Sequence, residues 1–171
     1  MQDHPGVLNR VVSLVRRRNF NIDSLTVGHS ETPGISRMTL VVDAADVEQI
    51  IKQLYRLIEV LKVSDVSLDP VVEREIALIK LHVTRSSRAE LVALSTVFHA
   101  KVVDVGPSSM IVEITGSPDD VERFVELVRP FGIKEMMRTG RIAMIRGSQA
   151  HQAALEIDSP EEPMPGLALA G

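Results

Sequence analysis

The chain has 171 residues, 44% of them hydrophobic, enough for one ordinary domain or two small ones with a real core. No stretch approaches the roughly 18 uninterrupted apolar residues of a membrane helix, and no basic-then-apolar segment opens the chain, so a cytoplasmic location without membrane contact is expected. Zero cysteines remove disulfides, thiolate catalysis and Cys-ligated metal together, and a formal net charge of −4 argues against a surface for duplex nucleic acid.

In chain order, Pro5-Gly6 form a tight turn that opens a helix over residues 6–18. Apolar residues at 7, 8, 11, 12, 14 and 15 stand against Arg10, Arg16, Arg17 and Arg18, which describes one buried face. Residues 21–29 and 35–42 read as two strands rich in β-branched residues, joined by a Gly/Pro turn into a hairpin. Asp43 or Asp46 caps a second helix across 47–55, and the alternation of 60–68 predicts a strand after it. The order is helix, strand, strand, helix, strand.

The second half adds the strand that the first half lacks. Residues 75–83 read as an apolar strand, 87–100 as a helix capped by Ser86 or Ser87, and 101–105 with 110–115 as a hairpin around Gly106-Pro107-Ser108. Ser117-Pro118-Asp119-Asp120 opens another helix, with proline at the first helical position and acids in the first turn, and short strands follow within 132–145. This is βαββαβ, so the fold class is α+β: two ferredoxin-like units in tandem, each an antiparallel sheet with helices on one face. The units are expected at 1–70 and 71–147. Residues 148–171, with Pro160, Pro163 and Pro165 and no periodicity, are expected to form a flexible tail.

The Pro-Gly turn supplies the candidate site. Free N–H groups of Gly6, Val7 and Leu8 at a positive helix end suit a carboxylate, and the missing Cβ of Gly6 permits close approach; the same glycine can equally be a plain turn residue. The chain returns through Asn21 into a strand whose first residues are expected near the helix, so a side-chain amide can stand beside the same pocket. Such a pairing suits an amino acid. Asn21 can also be no more than a turn former tolerant of left-handed backbone angles. Asp3 can pair with a ligand ammonium or remain a solvated acid, and His4 reads as an exposed turn residue. Val7, Leu8, Ile22 and Leu25 are the apolar neighbours available to set selectivity.

Asp3-His4-Pro5-Gly6-Val7-Leu8, then Asn21-Ile22-Asp23-Ser24-Leu25-Thr26-Val27 and Pro33-Gly34-Ile35-Ser36-Arg37-Met38-Thr39, resemble the ACT domain of the regulatory small subunit of acetohydroxyacid synthase, also called acetolactate synthase. Val71–Lys80, Lys101–Val105, Pro130–Ile133 and Arg138–Ala143 resemble the same family in the same order, so the resemblance covers about residues 2–147. It implies a noncatalytic subunit that associates with the large subunit, raises its activity and confers feedback inhibition by a branched-chain amino acid. Thiamin diphosphate, Mg and FAD would belong to that catalytic partner, with no cofactor in this chain. The resemblance also implies a homodimer through ACT domains and an effector site of Asp3, Gly6, Val7, Leu8, Asn21 and Ile22, with the Asn21 amide reaching the effector across the interface between two ACT domains. Valine suits a small aliphatic pocket, although a methylene is worth only about 1–3 kcal/mol against leucine or isoleucine.

In that family an apolar strand precedes the Pro-Gly turn, whereas here only Met1 and Gln2 precede Asp3. Either the start is assigned too late, or another segment or protomer fills the slot. The first account is preferred, because an unfilled central strand leaves backbone groups unpaired at roughly 1–3 kcal/mol each.

Catalytic chemistry finds no footing. His4, His29, His82, His99 and His151 show neither metal-ligand spacing nor pairing with a nucleophile. Arg16-Arg17-Arg18 suits a solvated helix end better than nucleic acid, and four Phe with one Tyr supply no aromatic platform for RNA. A free-standing ACT-type sensor acting on another enzyme or on transcription is the alternative; it would share the first half but not the second.

Overall fold

The computed structural model describes residues 1–17, 20–43 and 47–147. Two α+β units follow one another. In the first, α1 (Val7–Arg17) leads into β1 (Asn21–His29) and β2 (Ser36–Asp43), followed by α2 (Val47–Leu54). Val7, Val11 and Val15 recur every fourth residue and are the buried positions of α1, as a single apolar stripe requires. β1 and β2 pair antiparallel from Asn21↔Asp43 to His29↔Ser36, with a register shift between Ile22 and Ser24. Val11, Ile50 and Leu54 make the buried centre, and Leu14, Phe20, Met38 and Val42 pack against it. Both helices therefore cover one face of the hairpin. Of the two expected caps of α2, Asp43 ends β2, while Asp46 lies outside the described residues.

The expected strand at 60–68 does not form: this segment is irregular. The last strand of a βαββαβ unit pairs with the first, and in that first-strand slot the described residues place Met1–Asp3. Asp3 N–H donates to Gly34 O (2.8 Å), Ser36 N–H to Met1 O (2.9 Å), and Gln2 bridges Ile35. On the other side, Gln2 N–H donates to Glu59 O at 2.8 Å, and beyond Glu59 no neighbouring strand is available among the described residues. The Tyr55 hydroxyl takes over part of that role, accepting from Val63 N–H and donating to Val63 O, each at 3.1 Å. Val60 and Val63 still pack against the helices.

The second unit realises the full pattern. β3 (Val71–His82), α3 (Arg88–Val97), β4 (Lys101–Val105), β5 (Ser109–Gly116), α4 (Pro118–Val128) and β6 (Ile133–Arg138) give the sheet order β4-β5-β3-β6, and β7 (Ile142–Ile145) pairs with the first part of β3. All pairs are antiparallel. β3 starts earlier than its apolar run, because Val71–Arg74 pair with β7. Ala77, Ile79 and Leu81 alternate inward from β3 and Met110, Val112 and Ile114 from β5, to meet Leu91 of α3 and Val121, Phe124, Val125 and Val128 of α4. The Phe98 and Phe124 rings lie 5.4 Å apart, tilted. Ser117 caps α4, its hydroxyl accepting from Asp120 N–H (3.2 Å) and donating to the Asp120 carboxylate (2.6 Å). Ser87 stands at the N-terminus of α3 without a side-chain capping bond to the helix; it is tied to Thr84 instead. The expected tail, 148–171, lies outside the described residues.

Candidate functional site

A positive φ of 93° at Gly6 turns the chain into α1, and a Cβ placed there would meet nothing within 4 Å. The glycine thus answers a backbone requirement and leaves open space in front of the helix end. Helix geometry denies the first-turn N–H groups a carbonyl four residues back. Val7 N–H makes only a long contact with His4 O (3.4 Å), and the first full-length bond is Arg10 N–H to Gly6 O at 3.0 Å. One turn into the helix, Arg10 pairs with the buried carboxylate of Glu59, so that acid is neutralised and the positive character of the helix end is preserved.

Asp3, Gly6, Val7 and Leu8 come together at this end. Their side chains divide the work. Val7 is 2% exposed and belongs to the core, which leaves its backbone N–H as its contribution to any ligand, whereas Leu8 is 42% exposed and free to contact one. The Asp3 carboxylate accepts a hydrogen bond from, or ion-pairs with, His29 Nδ1 at 3.0 Å. His29 is the residue that sequence reasoning left unattached to the site. An antiparallel return brings the last residue of β1, not the first, beside the start of α1.

Asn21 and Ile22 lie elsewhere in the same chain. Asn21 follows the C-terminal end of α1, and the helix of 11 residues is about 16 Å long. The expectation that Asn21 stands beside the Gly6 turn of its own chain is therefore corrected, because α1 separates them along its full length. The Asn21 side chain is exposed and donates to Asp23 Oδ1 at 2.7 Å, and Ile22 is half-buried. One polar end and one amide end, on opposite sides of the unit, are what each chain presents. Among the described residues no group of His, Asp and Glu is placed to hold a metal ion, and no helix is long and apolar enough to cross a membrane.

The architecture is an α+β unit with an open, glycine-turned helix end, joined to a complete ferredoxin-like unit, which sets the class by fold and not the role. The comparisons with known proteins agree with that class. The AHAS small subunit-like ACT domain matches residues 1–62, and the model for the small subunit of acetolactate synthase matches residues 74–147. A probable acetolactate synthase small subunit of Archaeoglobus fulgidus is 50% identical over 151 residues, covering 87% of this chain and 94% of that protein. The acetolactate synthase small subunit of Bacillus subtilis is 48% identical over 147 residues, covering 84% and 86%. The crystal structure of the acetolactate synthase small subunit from Thermotoga maritima superposes with a TM-score of 0.80 at 43% identity, over 86% of this chain and 94% of that one. The chain belongs to the acetolactate synthase small subunit family.

Proposed function

We propose that the chain is the regulatory subunit of acetolactate synthase, raising the activity of the catalytic large subunit and making it sensitive to a branched-chain amino acid, valine foremost. Alone it forms no acetolactate. Thiamin diphosphate, Mg and FAD belong to the partner, and this chain contributes binding and conformational bias. The division at about residue 70 assigns the effector to the first unit and leaves the second to support assembly.

The single observation that carries the effector site is the Gly6 turn: a positive-φ glycine, open space before it, and first-turn N–H groups lacking intrahelical partners. A valine carboxylate would take these N–H groups, its ammonium would face Asp3, and Leu8 would meet its side chain. Asn21 and Ile22 complete such a site only from a second copy, since α1 holds them away from the turn of their own chain. A site shared between two ACT domains makes effector binding and dimer arrangement one equilibrium, whose bias cannot exceed the effector's differential affinity for the two states.

The test is a valine inhibition titration of the reconstituted enzyme beside an activation titration without effector. Asn21→Ala removes an amide and little apolar volume, so activation should persist while valine weakens by about 1.5–3 kcal/mol, which is roughly tenfold or more in concentration. Gly6→Asp should act more strongly, because its carboxylate would occupy the helix end. Unchanged valine sensitivity in both variants, with activation preserved, places the effector elsewhere.

A further inference from the structure

The face of the β1–β2 hairpin opposite its helices is not free. Register puts Ser24 and Thr26 of β1 on one face with Val41, Thr39 and Arg37 of β2, while Met38 and Val42 point to the helices. Against that first face rests the loop between β6 and β7 of the second unit. Arg141 N–H donates to Ser24 Oγ at 2.9 Å, and Arg37 Nη2 donates to Ala143 O at 3.2 Å. Gly140 lies so close that a Cβ on it would meet Leu25 O at 2.6 Å and Leu25 C at 2.8 Å, and Thr26 Oγ1 closer still. Leu25 presents backbone here, which cannot swing aside as the end of a flexible side chain can.

The loop is fixed firmly to its own unit. Thr139 N–H donates to Ile76 O (2.9 Å) and Thr139 Oγ1 accepts from Ile76 N–H (3.0 Å). The preceding residue, Arg138, ion-pairs with buried Glu75 and with Glu122. On the other side of the contact, the same strand that meets Gly140 carries Asn21 and Ile22 at its start, four residues or about 13 Å away. The contact is tight in one place and slack in the next. Thr26 Oγ1 is buried without a hydrogen-bond partner, and a cavity of about 180 Å³ opens beside it, lined by Thr26, Ile76, Thr139 and Ile142 among others. An unpaired hydroxyl makes this packing costly, and adjacent space lets β1 shift on the loop.

We propose that the Thr139–Arg141 loop is the joint through which effector occupancy on the first unit reaches the second, with Gly140, Ser24 and Arg37 as positioning residues. The proposal rests on the regulatory reading above. A shift of β1 at its Asn21 end is carried through the irregularity between Ile22 and Ser24 to Ser24–Thr26, and the Gly140 contact passes it to β3 through Thr139 and Ile76. Gly140 has no side chain because the joint has no room for one. A residue that served only to hold the units together would affect valine binding, activation and inhibition alike or none of them; a joint affects inhibition alone.

The experiment uses the full chain and its large subunit, with Gly140→Ala as the principal variant and Ser24→Ala as one that removes only the acceptor of the Arg141 bond. Valine binding to the chain is measured by calorimetry, activation by acetolactate formation without valine, and inhibition by valine titration. In Gly140→Ala, binding and activation should stay within about threefold of wild type while half-inhibition shifts about tenfold or the plateau of inhibition collapses; Ser24→Ala should move the same way by about threefold. Inhibition like wild type in both variants overturns the joint, as does inhibition lost only in step with valine binding. Amide exchange at Arg141 gives a reading that needs no effector, and it should quicken in Ser24→Ala. An unaltered rate there refutes the contact itself, whereas a wild-type chain that neither binds valine nor activates the large subunit refutes the regulatory reading instead.

Discussion

Replacing Arg138 by methionine leaves a carboxylate stranded. The Glu75 side chain is 5% exposed and its ion pair with Arg138 joins β3 to β6, while Glu122 of α4 meets the same guanidinium at 2.6 Å. Burial works against the charge on Arg138, yet the hydrogen bonds it donates to Glu75 and Glu122 outweigh that and hold the guanidinium above its ordinary range. Removing one partner of a buried pair typically costs about 3–5 kcal/mol, because the other charge remains desolvated without compensation. Arg138 is 28% exposed, so water can reach the gap, and the lower end of that range, about 3 kcal/mol, is expected. For a chain of this size that corresponds to a fall in Tm of about 6–12 °C. The assay is urea unfolding of wild type, Arg138→Met, and the double variant Arg138→Met with Glu75→Leu. The double variant removes the stranded charge and should recover most of the loss. A single-variant loss below about 1 kcal/mol, or a double variant no more stable than the single, refutes the view that Glu75 depends on Arg138.

Asp120→Asn tests the α4 cap. The Ser117 hydroxyl holds the Asp120 carboxyl below the usual carboxylate range; desolvation opposes it, and the nearby Arg123 guanidinium adds to the lowering. A depressed folded pKa contributes stability that is present above the unfolded value near pH 4 and lost as pH falls through the lower folded value. Tm curves of wild type and variant should therefore be separated at neutral pH and converge in acid; parallel curves would exclude the cap as their cause. Phe124→Ala, at a position with 0% exposure beside Phe98, should cost about 3–5 kcal/mol in denaturant unfolding, and a loss below about 1 kcal/mol would mean the core is not centred there. Gly6→Ala meets no steric obstacle but demands a left-handed alanine, so about 1–2 kcal/mol should be lost from backbone strain; full stability would show that the turn relaxes to another conformation.

Sequence by itself determined what is local. The four-residue recurrence of Val7, Val11 and Val15, the Ser117-Pro118 start of α4 and the alternation of Ala77, Ile79 and Leu81 each commit a segment to one element, because helix and strand periods place side chains on one face whatever lies opposite. The Gly6 turn was legible for the same reason: a glycine before an amphipathic helix needs no distant residue to explain it. Tertiary structure decided everything that depends on a partner. The alternation of 60–68 is as regular as that of a strand, yet it makes none, since pairing requires a neighbour and none lies beside it among the described residues. Which end of β1 meets the Gly6 turn followed from the antiparallel return, which brought His29 to Asp3 and carried Asn21 to the far end of α1. Gly140 lay within the Arg138–Ala143 block of family resemblance, but nothing local marked it as a contact. Its need for a missing Cβ comes from Leu25 and Thr26, more than a hundred positions away in sequence and in direct contact in space.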